Sequence, residues 1–519
     1  MRCLLGLALV AWLADFVLVK GYGYYSDDWT HIVWRLNYTL ADFWRELRLG
    51  FQDGGAGGRP LGVPIPGAVA GLGYRLGGTL GIYFLTYLGL VLNACLVMAI
   101  LRRIFSPRAA FLGACAFLLF PADTTRPFLE HGAQLQPSLA LGLLALWLAP
   151  RTRLACLPAF ACLTLYEIPF LLYFWGAPGY TALCTGKTPS RKAHLALCAG
   201  AILALMLWRR SLGESRVQKV LGSPLELIGR SLGAMLIGPC VSASGYPRAW
   251  LEALTAPSPG GVLLCLALAA VMALATSNQG SPSPPRKAYW LQGLLLWTGS
   301  YSLTLTHFPP TQLHGQYTST HLAAAVAAAW VAAACAELRP RLVLLGLALT
   351  GSYQWGIQQD YVRSWALQRQ FMSQVLQVAP DLSSQDMLIL DGPLPPQPRA
   401  IAAFNWALGT ALRNCLQTPE GKSFHSLMVT HRKKPYSRIY RREDEDKYDF
   451  DSEPWWGLRR EYHPATTLIL RYRDGQLERA SELILPDGTR LPGKPPGGAS
   501  DLQLTPFGRD EAGLNWGIR

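Results

Sequence analysis

The chain has 519 residues, of which 50% are apolar and only 15% charged, and the apolar ones fall in long blocks. Blocks such as LALCAGAILALMLW (195–208) and HLAAAVAAAWVAAAC (321–335) have no polar face. That excludes a soluble globular fold and suits lipid as the solvent. The formal charge of +14 does not imply nucleic acid, because much of the excess sits in short loops between apolar blocks. Most of the eleven cysteines lie inside apolar segments as small buried hydrophobes. No metal spacing and no disulfide framework is legible.

In chain order, Met1–Lys20 reads as a signal anchor and first membrane helix, because no small-x-small cleavage site follows it. About eleven membrane segments are predicted, at 3–19, 79–101, 109–121, 135–149, 154–166, 169–185, 194–208, 259–276, 289–306, 318–336 and 341–353. Those at 109–121 and 154–166 are short, and a bundle must shield their ends. With a cytoplasmic N-terminus, alternation puts Arg102/Arg103/Arg108, Arg151/Arg153, Lys187/Arg191/Lys192, Arg286/Lys287 and Arg339/Arg341 on the cytoplasmic side. The short connections opposite them are poor in basic residues, which is the positive-inside pattern.

The expected fold is an all-α polytopic membrane bundle, residues 1–353, with an outer-face first loop at 20–78. A small α+β extracytoplasmic domain follows at 354–519. The first loop holds an amphipathic stretch, LADFWRELRLGF, with Leu40, Phe43, Leu47 and Phe51 on one side, which lies in the interface or packs on the bundle. A second outer piece is 209–257, with LELIGRSLGAML as a shorter helical or re-entrant element. The tail begins helically and then gives strands, MLIL (387–390) and a hairpin within 466–486. The charged stretch YRREDEDKYDFDSEPWW lacks the spacing and central glycine of a calcium loop and reads as a solvated loop.

Five pieces hold chemistry, and all fall on the outer side of this topology. GYGYYSDDWTH (21–31) sets Asp27 beside Asp28 among aromatics; Ser26 or Asp27 also fits as the N-cap of a helix through HIVWRLNYTLADFW. Adjacent side chains point apart, so the two acids need not share a site. GGAGGRPLG (54–62) offers Arg59 on a flexible loop. PADTTRPFLEHGAQ (121–134) holds Asp123, Arg126, Glu130 and His131, a plausible polar site and equally the content of a solvated loop. Glu167 is a lone carboxylate between two apolar blocks, a functional candidate or the mark of an outer turn. HFPPTQLHGQY (307–317) supplies His307 and His314, whose spacing suits hydrogen bonding to phosphate or sugar better than metal ligation.

SDDW with an interface helix after the first membrane segment, GRPL at 58–61, and YE at Tyr166–Glu167 resemble the GT-C superfamily of polytopic glycosyltransferases, in particular bacterial members of uncertain specificity. The stretch 365–390 looks like the start of their outer-face tail, so the resemblance runs from residue 1 to about 390. It implies a bacterial inner-membrane enzyme working on the periplasmic side. A sugar on a polyprenyl-phosphate donor would pass, with inversion, to a glycan, lipid or protein acceptor. One Asp of 27/28 would be the general base. A cation, Arg59, Arg126 or a protonated histidine, would neutralise the departing phosphate. The second acid, with Asp123 or Glu130, would orient the acceptor or hold a divalent cation, Mg or Mn. Many relatives carry a basic residue, apt for the lipid phosphate, near the outer end of a late helix where this chain has HGQY (314–317); either His314, Arg59 or Arg126 takes that role or donor binding is altered. A lipid-linked polysaccharide polymerase or ligase shares the topology but places its large loop late. A transporter or flippase would favour internal repeats and mid-helix charges, and no repeat is seen.

Overall fold

The computed structural model describes residues 1–53, 58–187, 189–213, 224–277, 287–303, 310–391, 396–403, 408–420, 428–430, 438–441, 448–451, 459–473, 475–485 and 488–514. It divides into two units, Met1–Lys20 with Arg35–Asp360, and Gly21–Trp34 with Tyr361–Arg519. The expected boundary at 354 therefore lies inside one continuous helix, and a short strap from the first loop belongs with the tail.

The described helices up to residue 378 are α1 (Arg2–Asp15), α2 (Asp28–His31), α3 (Leu40–Asp53), α4 (Pro64–Leu101), α5 (Pro107–Leu118), α6 (Leu129–Leu148) and α7 (Cys156–Leu165). Then follow α8 (Phe170–Thr185), α9 (Arg191–Ser211), α10 (Pro224–Thr255), α11 (Pro259–Thr276), α12 (Lys287–Gly299), α13 (Leu322–Leu338) and α14 (Pro340–Val378). All but α2 and the end of α14 belong to the first unit. Among the described residues, six helical stretches have the length and composition to cross a membrane: Arg2–Gly21, Pro64–Leu101, Arg191–Ser211, Leu225–Thr255, Pro259–Thr276 and Gln316–Leu338. The described parts of the remaining expected segments are not among these six. On α4, Leu72, Leu76, Leu80, Phe84, Leu88 and Leu92 form an exposed stripe. Such a stripe is unstable in water and satisfied by acyl chains. The chain is a polytopic integral membrane protein.

Two local features explain how short apolar blocks build this bundle. The 38-residue α4 is broken at Gly77 and Gly78, the latter with φ 60°, so the predicted segment 79–101 begins where the helix restarts. A Cβ on Gly81 would sit 2.0 Å from the Gly73 carbonyl oxygen, so the two halves close on each other only through glycine. The second feature is α5, twelve residues long, whose Ala109 to Leu118 are all buried. Its C-terminal carbonyls would be orphaned in an apolar interior. Arg126 meets them instead, as described below.

Contacts sort the helix ends into two groups. At one, here the basic end, Tyr180 Oη donates to the Ile100 carbonyl at 3.3 Å, and Ser106 N donates to Glu337 Oε1. At the other, the loop end, Ser138 Oγ donates to the Tyr166 carbonyl at 2.9 Å. There too, Thr124 N donates to Thr318 Oγ1 at 3.1 Å.

The short element expected within 209–257 is a 32-residue helix, α10, with Pro239 and Pro247 inside it. In order along α10, Ser231 donates to the Ser302 carbonyl, Gly238 abuts Tyr301, Gly245 meets Pro121 and Ala122, and Trp250 donates to the Gly346 carbonyl. These partners belong to three separate segments, so α10 runs across the bundle rather than along one neighbour. The first loop also differs from a single helix through 31–44. Thr39 and Asp42 instead make a reciprocal cap that starts α3 afresh, with Thr39 N to Asp42 Oδ2 at 2.9 Å and Asp42 N to Thr39 Oγ1 at 3.2 Å. Leu40, Trp44 and Phe51 of α3 are exposed.

The second unit is built on a sheet of β1 (Met387–Asp391), β2 (Met428–Thr430), β3 (Thr467–Arg473) and β4 (Gln476–Ala480), in the order β2-β1-β3-β4. β1 lies parallel to β2 and β3, and β3–β4 is the predicted hairpin, turning at Gly475 with φ 83°. Met387, Ile389, Ile469, Leu483, Leu485 and Leu491 form its core. Much of the charged stretch, 442–447 and 452–458, lies outside the described residues.

Candidate functional site

At the loop end of the first unit, two arginines converge on one carboxylate. Arg59 grips Glu167 in fork geometry, Nε to Oε2 at 2.9 Å and Nη2 to Oε1 at 2.8 Å. Arg209, from the last turn of α9, reaches Glu167 Oε1 at 3.4 Å. The Arg59 guanidinium also lies 4.6 Å over the Tyr166 ring. Local folding places each partner. Leu61 N donates to the Thr164 carbonyl, fixing the loop beside the end of α7. Gly58 takes φ 69°, and a Cβ there would sit 2.4 Å from Arg209 Cγ. Burial pushes the Glu167 carboxyl up, but the charges of Arg59 and then Arg209 outweigh it and hold the group well below the usual range. Two guanidiniums thus share the Glu167 carboxylate, with Arg59, Arg209 and Glu167 side chains 16%, 8% and 21% exposed.

Arg126 and Asp123 have different tasks. Arg126 donates to the carbonyls of Phe117, Leu118 and Phe120, closing the C-terminus of α5, and its Nε lies 3.8 Å from Asp15 Oδ2. Asp123 Oδ1 accepts from Thr125 N at 2.9 Å and Thr125 Oγ1 at 2.7 Å, shaping the turn. Thr124 ties that turn to the 315–318 segment through Thr318 and Gly315. His314 Nδ1 pairs with Tyr353 Oη at 3.0 Å. The buried His321, which sequence reading passed over, bridges Tyr301 Oη at 2.7 Å and the Gln312 carbonyl at 2.9 Å. His307 and Gly54–Gly57 lie outside the described residues.

Glu130 faces Arg35, another residue the sequence reading passed over. Burial pushes the Arg35 guanidinium down, and Glu130 leads the charges opposing it. The His131 ring packs on Phe128 with centroids 4.5 Å apart, and its buried Nδ1 makes no hydrogen bond among the described residues.

The acidic pair belongs to the second unit, and its two members differ. Asp28 is fully buried and accepts from Tyr25 N at 3.0 Å. The flanking aromatics are core: Trp29 packs with Tyr24, Trp365 and Phe507, and its Nε1 donates to Gln368 at 3.0 Å. A Cβ on Gly23 would lie 2.0 Å from Trp365. Asp27 is half-buried at the N-cap of α2, with no side-chain capping bond to that helix. It follows Ser26, whose φ of 43° is the one positive value at a non-glycine among the described residues. A backbone held there is strained and fixes the direction of the next residue.

Among the described residues no three His, Cys, Asp or Glu side chains converge on a metal position. Of the cluster residues, only Arg209 came from an unremarked motif, WRRS, an arginine pair at the helix end where the charge rule predicts few.

No family model matches the chain, and no curated protein matches it. Among solved structures it is similar to a crystal structure of ArnT from Cupriavidus metallidurans bound to undecaprenyl phosphate. The identity is 15% and the TM-score 0.33, over 79% of this chain and 84% of that one. A likeness at that level leaves the chemistry to be argued from this chain's own residues.

Proposed function

We propose that this protein is a membrane glycosyltransferase that moves a sugar from a polyprenyl-phosphate carrier to an acceptor hydroxyl, with inversion at the anomeric carbon. The proposal places it in a bacterial inner membrane, with the basic end cytoplasmic and the loop end periplasmic. The observation that carries it is the Arg59–Glu167–Arg209 cluster, two guanidiniums on one carboxylate at the end of a lipid-exposed bundle. When the bond from the anomeric carbon to phosphate oxygen breaks, a singly charged phosphodiester becomes a phosphomonoester approaching two charges. Guanidiniums held in place interact more strongly with the second state than with the first, which is what acceleration requires. Glu167 is then a positioning residue that holds both guanidiniums.

Asp27 is the better base of the acidic pair. Asp28 is buried and holds the Tyr25 backbone, whereas Asp27 is partly exposed on a strained turn. In the reaction the acceptor oxygen forms the new bond to the anomeric carbon and its proton passes to the Asp27 carboxylate. Polyprenyl phosphate leaves with the electron pair.

The test is transfer of radiolabelled sugar from polyprenyl-phosphate sugars by membranes carrying wild type, Asp27→Asn or Asp28→Asn, each matched for abundance by blot. Asp27→Asn is expected to lose about 10²–10⁴-fold in rate. Asp28→Asn is expected to lower abundance and melting temperature while sparing the rate per folded molecule. Equal rates for all three would remove the pair from the mechanism.

A further inference from the structure

We propose that the basic end carries a site for the phosphate headgroup of an anionic phospholipid, formed by Arg103, Arg151 and Trp147. The two guanidinium carbons lie 4.7 Å and 4.6 Å from the centroid of the same Trp147 ring system. Arg103 Nη1 donates to the Trp147 carbonyl at 2.5 Å, and the guanidinium also lies 6.0 Å from the Tyr180 ring. Its Nη2 is buried and makes no hydrogen bond among the described residues.

The positive-inside rule alone does not account for this arrangement. That rule is met by any arginine standing in water. Here two like charges share one indole, and one of them is drawn below the surface with a donor unsatisfied. Such a donor is costly without an acceptor, and an anion held by both guanidiniums removes the cost and the repulsion together. The surrounding loops add Arg102, Arg108, Arg153, Arg339 and Arg341, with Glu337 as their acid among the described residues, already accepting from Ser106 N. The neighbouring surface favours a lipid over a soluble anion. Leu154 and Leu157, just past Arg151, are 63% and 61% exposed and offer an apolar seat for acyl chains beside the headgroup. Basic pockets between membrane helices hold anionic headgroups in this way.

The experiment is native mass spectrometry of the purified full-length protein, titrated with phosphatidylglycerol or with phosphatidylcholine of the same chain length. Wild type is expected to retain one phosphatidylglycerol about tenfold more tightly than phosphatidylcholine. Arg151→Gln, which alters an exposed side chain, is expected to weaken that retention about fivefold. Arg103→Gln is expected to do the same or more, with a melting temperature measured alongside. Equal retention of both lipids, or unchanged retention in Arg151→Gln, overturns the site. Displacement of the lipid by millimolar inorganic phosphate overturns the assignment to a headgroup.

Discussion

Two arginines of the loop end, Arg59 and Arg126, look alike in the sequence and are used in opposite ways. Arg126 gives its guanidinium to three carbonyls at the end of α5 and sits 4% exposed beside Asp15. Its charge is consumed in making a twelve-residue helix tolerable inside the bundle. Arg59 is held by the Glu167 carboxylate, which a second arginine also holds, and its side chain keeps partial exposure. What a cation does is thus set by its partners: carbonyls that take up its donors in closing a helix, or a carboxylate shared with a second guanidinium.

The largest effect that would sharpen this contrast is on transfer rate. Arg59→Gln or Arg209→Gln should each lower kcat by about 10²–10³-fold, the usual loss for one electrostatic donor at a developing anion. A rate within twofold of wild type in both variants would break the contrast. Next comes stability. Arg126→Gln should cost about 2–3 kcal/mol by orphaning buried carbonyls, read as a lower melting temperature and lower abundance. Its rate per folded molecule should hold; a rate loss with full stability would return Arg126 to the site.

The smallest effect is in pH. The Glu167 carboxyl is depressed in the fold, so its stabilisation is fully present above about pH 4.3, the ordinary glutamate value. It is lost as pH falls through the depressed folded value. Melting temperatures of wild type and Glu167→Gln should therefore differ by a constant amount from pH 5 to 8. The gap should narrow only below about pH 4. A gap that changes between pH 6 and 8 would mean Glu167 titrates there, and that the two arginines do not hold it ionised.

The bundle was legible because lipid selects long apolar blocks, and the tail strands because short apolar runs such as MLIL stand between turn signals. α10 was not, since two prolines and four glycines read as interruptions in a helix that neighbours on several segments hold together. Within the site, Arg59 and Glu167 were each singled out, yet their pairing spans 108 positions and no local pattern encodes it. Arg209 was hidden at the end of an apolar block. Asp27 and Asp28 could not be told apart in sequence, because full burial of Asp28 and half-burial of Asp27 depend on Tyr25, Trp29 and a tail more than three hundred residues away.

That distance has a consequence for synthesis. The strap Gly21–Trp34 leaves the ribosome about 330 residues before Tyr361, where the rest of its unit begins. At roughly 5–20 residues per second the strap waits about 20–60 s for its partner. Through that interval Tyr24, Tyr25 and Trp29 have no tail to cover them. The turn that presents Asp27 is therefore finished late in translation, after every helix of the bundle has been made.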